Sequence, residues 1–282
     1  MIKRQIFESL RAAAISRGFW VARAGKAEAA SELVEVIKSA RATAALRRFG
    51  AAGDGGYLLP DDLEGIAALF SPGVSTICEF DLEFAERGID VYMADASVNA
   101  PPINHPKFHF SEKFIDTYIS ATTTTMSAWL EETGMAATSE DLVLQMDIEC
   151  AEYRVFASIP DTILRRFRII VVEIHNLDQI FSDFSAQTIL GTFKRLSQFF
   201  NIVHIHPNNI DPLFKIGNFE VYPTMEFTLY RKDRPVSSGA ASLPNPLDAD
   251  CVVGKPTAVL PAIWTRLGAA LGPATNLHYA AL

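Results

Sequence analysis

Residues 167 to 175, FRIIVVEIH, carry an unbroken apolar run from Ile169 to Val172. Such a run leaves no face for water, so the strand must be covered on both sides, as a strand inside a parallel sheet is. Parallel strands need crossover connections, and the flanking sequence supplies them by alternating strand-like and helix-like segments.

From residue 66, IAALFSPGV reads as a strand ending in a Pro-Gly turn. TICEFDLEFAERG is an amphipathic helix, with Ile77, Phe80, Phe84 and Ala85 on one side and Gly88 as its stop, and IDVYMADAS is a second strand ending in Asp95. Strand, helix and strand in that order imply a right-handed parallel unit. KFHFSEKFI is a short strand, TTTTMSAWLEETG a capped helix and LVLQM a buried strand. ECAEYRVFASIP is a helix that stops before Pro160, SAQTILGTFKRLSQFF a further helix and NIVHIHPNN a further strand.

The run IGNFEVYPTMEFTLYRK offers a Gly-Asn turn and then β-rich sequence through Tyr230. So short a connection after Asn209 predicts that this last strand enters antiparallel, as a hairpin. The expected fold is α/β, a Rossmann-like doubly wound sheet with one antiparallel strand at its end. Helices over residues 2 to 48, broken near Gly18 or Gly25, precede it, and an extended tail follows. The expected organisation is a helical extension at 1–46, a central domain at 47–232 and a Pro/Ala-rich tail at 233–282. The helices and the tail are expected to pack on the core or on a second copy of the chain.

A net charge of -8 and a pI of about 5.3 leave no basic footprint for a polyanion, which argues against nucleic acid as a partner. Cys78, Cys150 and Cys251 are far apart and lack CxxC spacing, so they indicate neither a disulfide framework nor a zinc site. The N-terminal stretch MIKRQIFESLRAAAISRGFW is interrupted by Glu8, Arg11 and Arg17, unlike a signal peptide. No run approaches the ~20 apolar residues that span a bilayer. The expectation is a cytoplasmic protein without stable membrane insertion.

In an open parallel sheet, ligands bind outside the carboxyl ends of the strands, near the point where strand order reverses. The polar residues fall at such ends. Gly53, Gly55 and Gly56 surround Asp54 in RFGAAGDGGYLLPDDL, a composition that permits close backbone approach to a ligand. Ser71, Pro72, Gly73 and Val74 form a turn before a helix, without the full GxGxxG pattern. Asp95 follows Gly73 by 22 residues, near the ~20-residue offset of an acid that grips a ribose.

In DLVLQMDIECAEYRVF, Asp147 ends a strand, Glu149 lies on the turn and Glu152 begins a helix, where the dipole favours an acid. Glu173 and His175 alternate on one face of the next strand, ahead of Asn176. His204 and His206 do the same on the strand that leads to Asn208 and Asn209. By topology Asp147, Glu173, His175 and His204 converge on one pocket, either as a base with its orienting acid or as oxygen and nitrogen ligands for a divalent ion.

The segments RFGAAGDGGYLL, FSPGVSTICEFDLEFAERGIDVYMADAS, LVLQMDIECAEYRVF and IIVVEIHNL together resemble the FkbM-type branch of the class I S-adenosylmethionine-dependent methyltransferases, over about residues 47 to 230. The family pattern D-I-E-G-A-E is met except that Cys150 replaces the glycine. The resemblance implies a seven-stranded sheet with an antiparallel last strand and makes 47–232 the methyltransferase domain. It implies that the loop of Asp54, Gly55, Gly56 and Tyr57 and the turn of Ser71, Gly73 and Val74 hold the methionine portion of S-adenosylmethionine, and that Asp95, with Ala96 beside it, holds the ribose. It implies O-methylation of a sugar, polyketide or other small molecule, with Mg2+ used by some related enzymes.

The expected reaction is in-line methyl transfer to a hydroxyl of a small-molecule or glycan substrate. His175 or His204 is the expected base, with Asp147 and Glu173 orienting it, or with Asp147, Glu173 and His175 holding an ion. An NAD-dependent dehydrogenase and a non-catalytic scaffold are the rival readings.

Overall fold

A computed structural model describes residues 2–18, 28–74, 76–216, 219–237 and 243–265. Helices α1 (Ile2–Ile15) and α2 (Glu28–Ala40) come first, followed by the hairpin of β1 (Leu46–Gly50) and β2 (Gly56–Pro60). Strand β3 (Ile66–Pro72), helix α3 (Glu79–Glu86) and strands β4 (Asp90–Ala94) and β5 (Phe108–Ser111) lead to a short parallel pair, β6 (Phe114–Ile115) and β7 (Thr123–Thr124). After α4 (Met126–Glu132) come β8 (Asp141–Met146), α5 (Glu152–Ser158), α6 (Asp161–Leu164), β9 (Phe167–Ile174), α7 (Ala186–Phe199) and β10 (Phe200–Pro207). A small hairpin, β11 (Phe214–Ile216) and β12 (Phe219–Val221), precedes β13 (Met225–Arg231). The Gly217–Asn218 turn and Gly25 lie outside the described residues. Gly18 follows α1 with φ +83°, the left-handed geometry in which helices commonly stop.

Seven strands form one sheet in the order β10-β13-β9-β8-β3-β4-β5. All pairs are parallel except those of β13, which runs antiparallel to both β9 and β10. The hairpin between β10 and β13 matches the sequence reading, but β13 is not at the end of the sheet. It lies between β9 and β10, with Phe227 opposite both Val172 and Ile205. The burial of β13 from Met225 to Tyr230 suits that interior place. Because the chain leaves β3 in one direction for β4 and β5 and later in the other for β8 and β9, a crevice opens between the ends of β3 and β8.

The two faces are covered differently. On one, α2, α4, α5 and α7 bury Leu33, Ile37, Trp129, Phe156 and Phe193 against the strands. The other is covered by α3 and the β1–β2 hairpin through Phe49, Leu59, Phe80 and Phe84. Each such side chain contributes roughly 1.5–3 kcal/mol by leaving water. The terminal extensions are built into the same body: Ile37 of α2 and Trp264 of the tail are fully buried, and the Trp264 indole donates to the Glu220 carbonyl at 2.8 Å. Ile6, Leu10 and Ile15 of α1 are exposed.

Candidate functional site

Two glycine-containing segments shape the crevice. Gly73 has φ +93°, and a Cβ there would stand 1.6 Å from the Asp147 carbonyl oxygen. Its N–H donates to the Ala94 carbonyl at 3.0 Å while Asp147 N–H donates to the Pro72 carbonyl at 3.3 Å, so the end of β3 is clamped between β4 and β8. Only glycine fits this crossing. In the β1–β2 loop, Arg48 donates to the carbonyls of Ala51 (2.7 Å) and Gly53 (2.8 Å), lacing the loop above the same strand ends.

Two cavities meet here. The larger, about 540 Å³, is walled by Asp95, Phe114, Tyr118 and Arg154 among others. The smaller, about 200 Å³, is walled by Asp54, Gly55, Tyr57, Val74 and Asp81 among others. They share Gly73, Asp147 and Glu149. Of the other residues proposed from sequence, Ser71 is buried behind the wall and donates to Gln145 Oε1 at 2.8 Å, Gly56 is part of the hairpin, and Ala96 lies between Asp95 and Ser97. Asp95 Oδ1 accepts from Ser97 N–H at 2.8 Å and from its hydroxyl at 2.7 Å. Arg154 grips Asp116 through two hydrogen bonds of 2.8 and 3.0 Å in the wall of the larger cavity.

The smaller cavity is one-signed. Asp54, Asp81, Asp147 and Glu149 line it, and its described lining contains no Lys, Arg or His. Burial pushes the Asp81 carboxyl up to about 7, with the Ser71 hydroxyl pulling part of the way back. That hydroxyl has one proton for both Gln145 and Asp81, and Asp81 Oδ1 is buried without a hydrogen-bond partner. Burial and then the charge of Glu173 raise both Asp54 and Asp147.

Beside the shared wall stands His175, at the end of β9. Its Nδ1 lies 3.0 Å from Oε1 of Glu152, a fully buried side chain whose same oxygen accepts from Ile148 N–H at 3.2 Å. Its Nε2 faces Glu173 at 3.4 Å and Asp147 and Glu149 at 3.7 Å each. Burial works against a charged imidazole, but the hydrogen bonds it donates to Glu152 and Glu173 and the charges of Glu152 and Asp147 outweigh it and push His175 up to about 11. At neutral pH it is therefore an imidazolium and has no lone pair with which to act as a base. Asp147 differs: its Oδ1 is buried toward this imidazolium without a hydrogen bond, while its side chain lines both cavities.

The structure thus brings Asp147, Glu173 and His175 together, adds Glu149 and Glu152, and leaves out His204. Insertion of β13 between β9 and β10 separates them, with Thr228 standing between His204 and Val171. The single pocket holding all four residues does not form. Glu152, attributed in sequence to the helix dipole, is instead the buried partner that orients His175; local pattern shows its position but not its burial. Glu149 and Cys150 have φ +52° and +74°, so Cys150 occupies the left-handed position for which the family pattern has glycine. Asp147, Glu149 and His175 each offer one atom, all within 4.8 Å of one another, so the point a proton holds on His175 also suits a cation. That set has Glu149 where the sequence reading has Glu173.

Residues 84–200 match the family model of the methyltransferase FkbM domain. The matched stretch runs from α3 to the start of β10 and contains Asp95, Asp147, Glu173 and His175. Comparison with curated proteins finds no match.

Proposed function

We propose that this chain, a methyltransferase carrying an FkbM-type domain, uses S-adenosylmethionine to methylate a hydroxyl of a sugar or another small molecule. The observation that carries the reading is the smaller cavity, with four carboxylates and no basic side chain among its described lining residues. A ligand that presents a sulfonium and an ammonium group is drawn to such a wall, whereas the diphosphate of NAD is repelled by it. The dehydrogenase reading is disfavoured on that ground.

In this reading the loop from Asp54 to Tyr57 and the turn at Gly73 and Val74 hold the methionine portion, and Asp95 holds the ribose across the shared wall. S-adenosylmethionine, when bound, supplies a methyl group on a positively charged sulfur. Gly73 lets the ligand cross from one cavity to the other against bare backbone. Asp147, whose side chain lines both cavities, takes the proton of the acceptor hydroxyl, and burial beside Glu173 raises its affinity for that proton. His175, held by Glu152, fixes Asp147 and Glu173 in place. Exposed Phe114 and Tyr118 at the rim of the larger cavity give a flat apolar platform of the kind on which a sugar face rests.

The proximity of Asp147, Glu149 and His175 supports a second reading, in which they hold a divalent cation such as Mg2+ that acidifies the hydroxyl. Addition of Mg2+ to chelator-treated protein separates the two, since only the second reading has activity restored by it. No helix among the described residues is long and apolar enough to cross a membrane, and the three free cysteines fit the cytoplasm. The test of the main reading is transfer of labelled methyl from S-adenosylmethionine to a panel of sugars and other hydroxyl compounds. Transfer that disappears in Asp147→Asn supports it, and transfer to no hydroxyl acceptor removes the O-methylation part.

A further inference from the structure

His204 and His206 leave β10 on the same face, two residues apart, and both are buried, with 2% and 5% of their surfaces exposed. Asp248, 10% exposed at its side chain, descends on them from the C-terminal segment. Its Oδ1 lies 2.9 Å from His204 Nε2 and its Oδ2 3.6 Å from His206 Nδ1. Neither approach has full hydrogen-bond geometry, so both ring nitrogens of His204, Nδ1 of His206 and Oδ1 of Asp248 are buried with at most this electrostatic pairing, while Asp248 Oδ2 accepts from Asn245 N–H at 2.7 Å. Burying so many unpaired polar atoms is costly, and native proteins rarely leave them so.

One ring nitrogen of the pair is occupied. His206 Nε2 faces the Ala249 carbonyl oxygen at 3.1 Å. A backbone carbonyl there draws the ring proton to Nε2 and leaves the lone pair of Nδ1 aimed at Asp248, the arrangement by which metal-bound histidines are oriented. His204 Nε2, His206 Nδ1 and a carboxylate oxygen of Asp248 lie within 4.8 Å of one another.

We propose that His204, His206 and Asp248 bind a divalent transition-metal ion of the zinc class, which ties the C-terminal segment to the sheet. Two imidazoles and one carboxylate are the donors such ions select, and one ion binds His204 Nε2, His206 Nδ1 and the Asp248 carboxylate together, leaving His204 Nδ1 outside its reach. Cysteine spacing gives no hint of this site because its ligands are two histidines of one strand and an aspartate of the tail. The tied segment runs beside the glycine-rich loop, where Arg48 donates to the Leu247 carbonyl at 3.4 Å. The ion therefore braces the loop that holds Asp54. The site is separate from the Asp147, Glu149 and His175 cluster, and its existence does not depend on methyl transfer.

Asn209 pins the segment independently, donating to the Val252 carbonyl at 3.0 Å and accepting from its N–H at 2.8 Å, so Asp248→Asn should fold. The test uses the full chain without a histidine tag, incubated with Zn2+, dialysed against metal-free buffer and assayed for zinc. Wild type should hold about one ion per chain, and Zn2+ should raise its melting temperature. Asp147→Asn should keep the ion, while His204→Ala and Asp248→Asn should lose it and the melting shift with it. Wild-type protein that holds no zinc overturns the proposal, as does zinc that stays in His204→Ala and Asp248→Asn but leaves Asp147→Asn.

Discussion

Strand β8 begins at Asp141 and is followed directly by Asp147, and these two carboxylates have opposite surroundings. At the start of the strand, Asp141 meets Arg168 at 2.8 Å and Arg231 at 2.6 Å, and nearby Asp62 meets Arg234 at 2.8 Å. Burial raises both, but the arginines at Asp141, and the Tyr230 hydroxyl with Arg234 and Arg168 at Asp62, outweigh it and hold them below the usual carboxylate range. At the other end, Asp147 meets Glu173, Glu149 and the already shared His175, and burial with Glu173 drives it upward. One end of the sheet neutralises its acids and the other concentrates them. Paired charges hold the fold, whereas a concentration of acids kept at a cost is the physical signature by which a candidate site stands out.

The sharpest way to break this comparison is to neutralise one acid at each end. Asp147→Asn should lower kcat by roughly 10²–10⁴-fold, with a melting temperature equal to or above that of wild type, because repulsion among buried acids is relieved. Asp141→Asn should do the reverse, costing about 1.5–3 kcal/mol in a denaturant titration by taking one of two carboxylate partners from each of Arg168 and Arg231, which keep Asp62 and Asp233, while the folded enzyme turns over normally. Equal losses of activity in the two variants would erase the distinction.

Acidity offers a second probe. Burial pushes the Asp81 carboxyl up to about 7 in the folded chain, from an ordinary value of about 4. Its protonated form is the one folding prefers, so the stability it contributes is present below about pH 4 and is lost as pH rises to about 7. Asp81→Asn should therefore gain on wild type over that window by on the order of 2–4 kcal/mol and show no further gain above it. In the same sense, kcat should rise with pH as Asp147 loses its proton, and a rate that falls instead would argue against Asp147 as the base. The smallest expected effect is that of Cys150→Gly, which should stabilise by about 1 kcal/mol by relieving a left-handed backbone without changing kcat, read from paired unfolding and rate measurements.

Much of this was legible in the chain, and the boundary is physical. Strand-end logic found Asp147, Glu173 and His175, because a sheet's polar residues show against apolar runs such as Ile169 to Val172. The hairpin of β10 and β13 was legible from a short connection, but its insertion beside β9 is a long-range choice, and that choice removes His204 from the cluster. Glu152 and Asp81 look like ordinary acids in the first turn of a helix until packing shows them buried. Asp248 lies 42 residues beyond His206 in a Pro-rich tail, where no periodicity announces a partner. Local pattern reveals which strand ends are polar, while tertiary packing decides which of those polar groups meet.

On the proposed reading, the acidic crevice at Gly73 is built for a cationic adenosyl donor. Titration calorimetry of the wild-type chain with S-adenosylmethionine, S-adenosylhomocysteine and NAD tests it most directly. The account predicts binding of both sulfur compounds, roughly tenfold weaker in Asp95→Asn, and no heat from NAD. Binding of NAD in preference to the other two, or of none of the three, would contradict it.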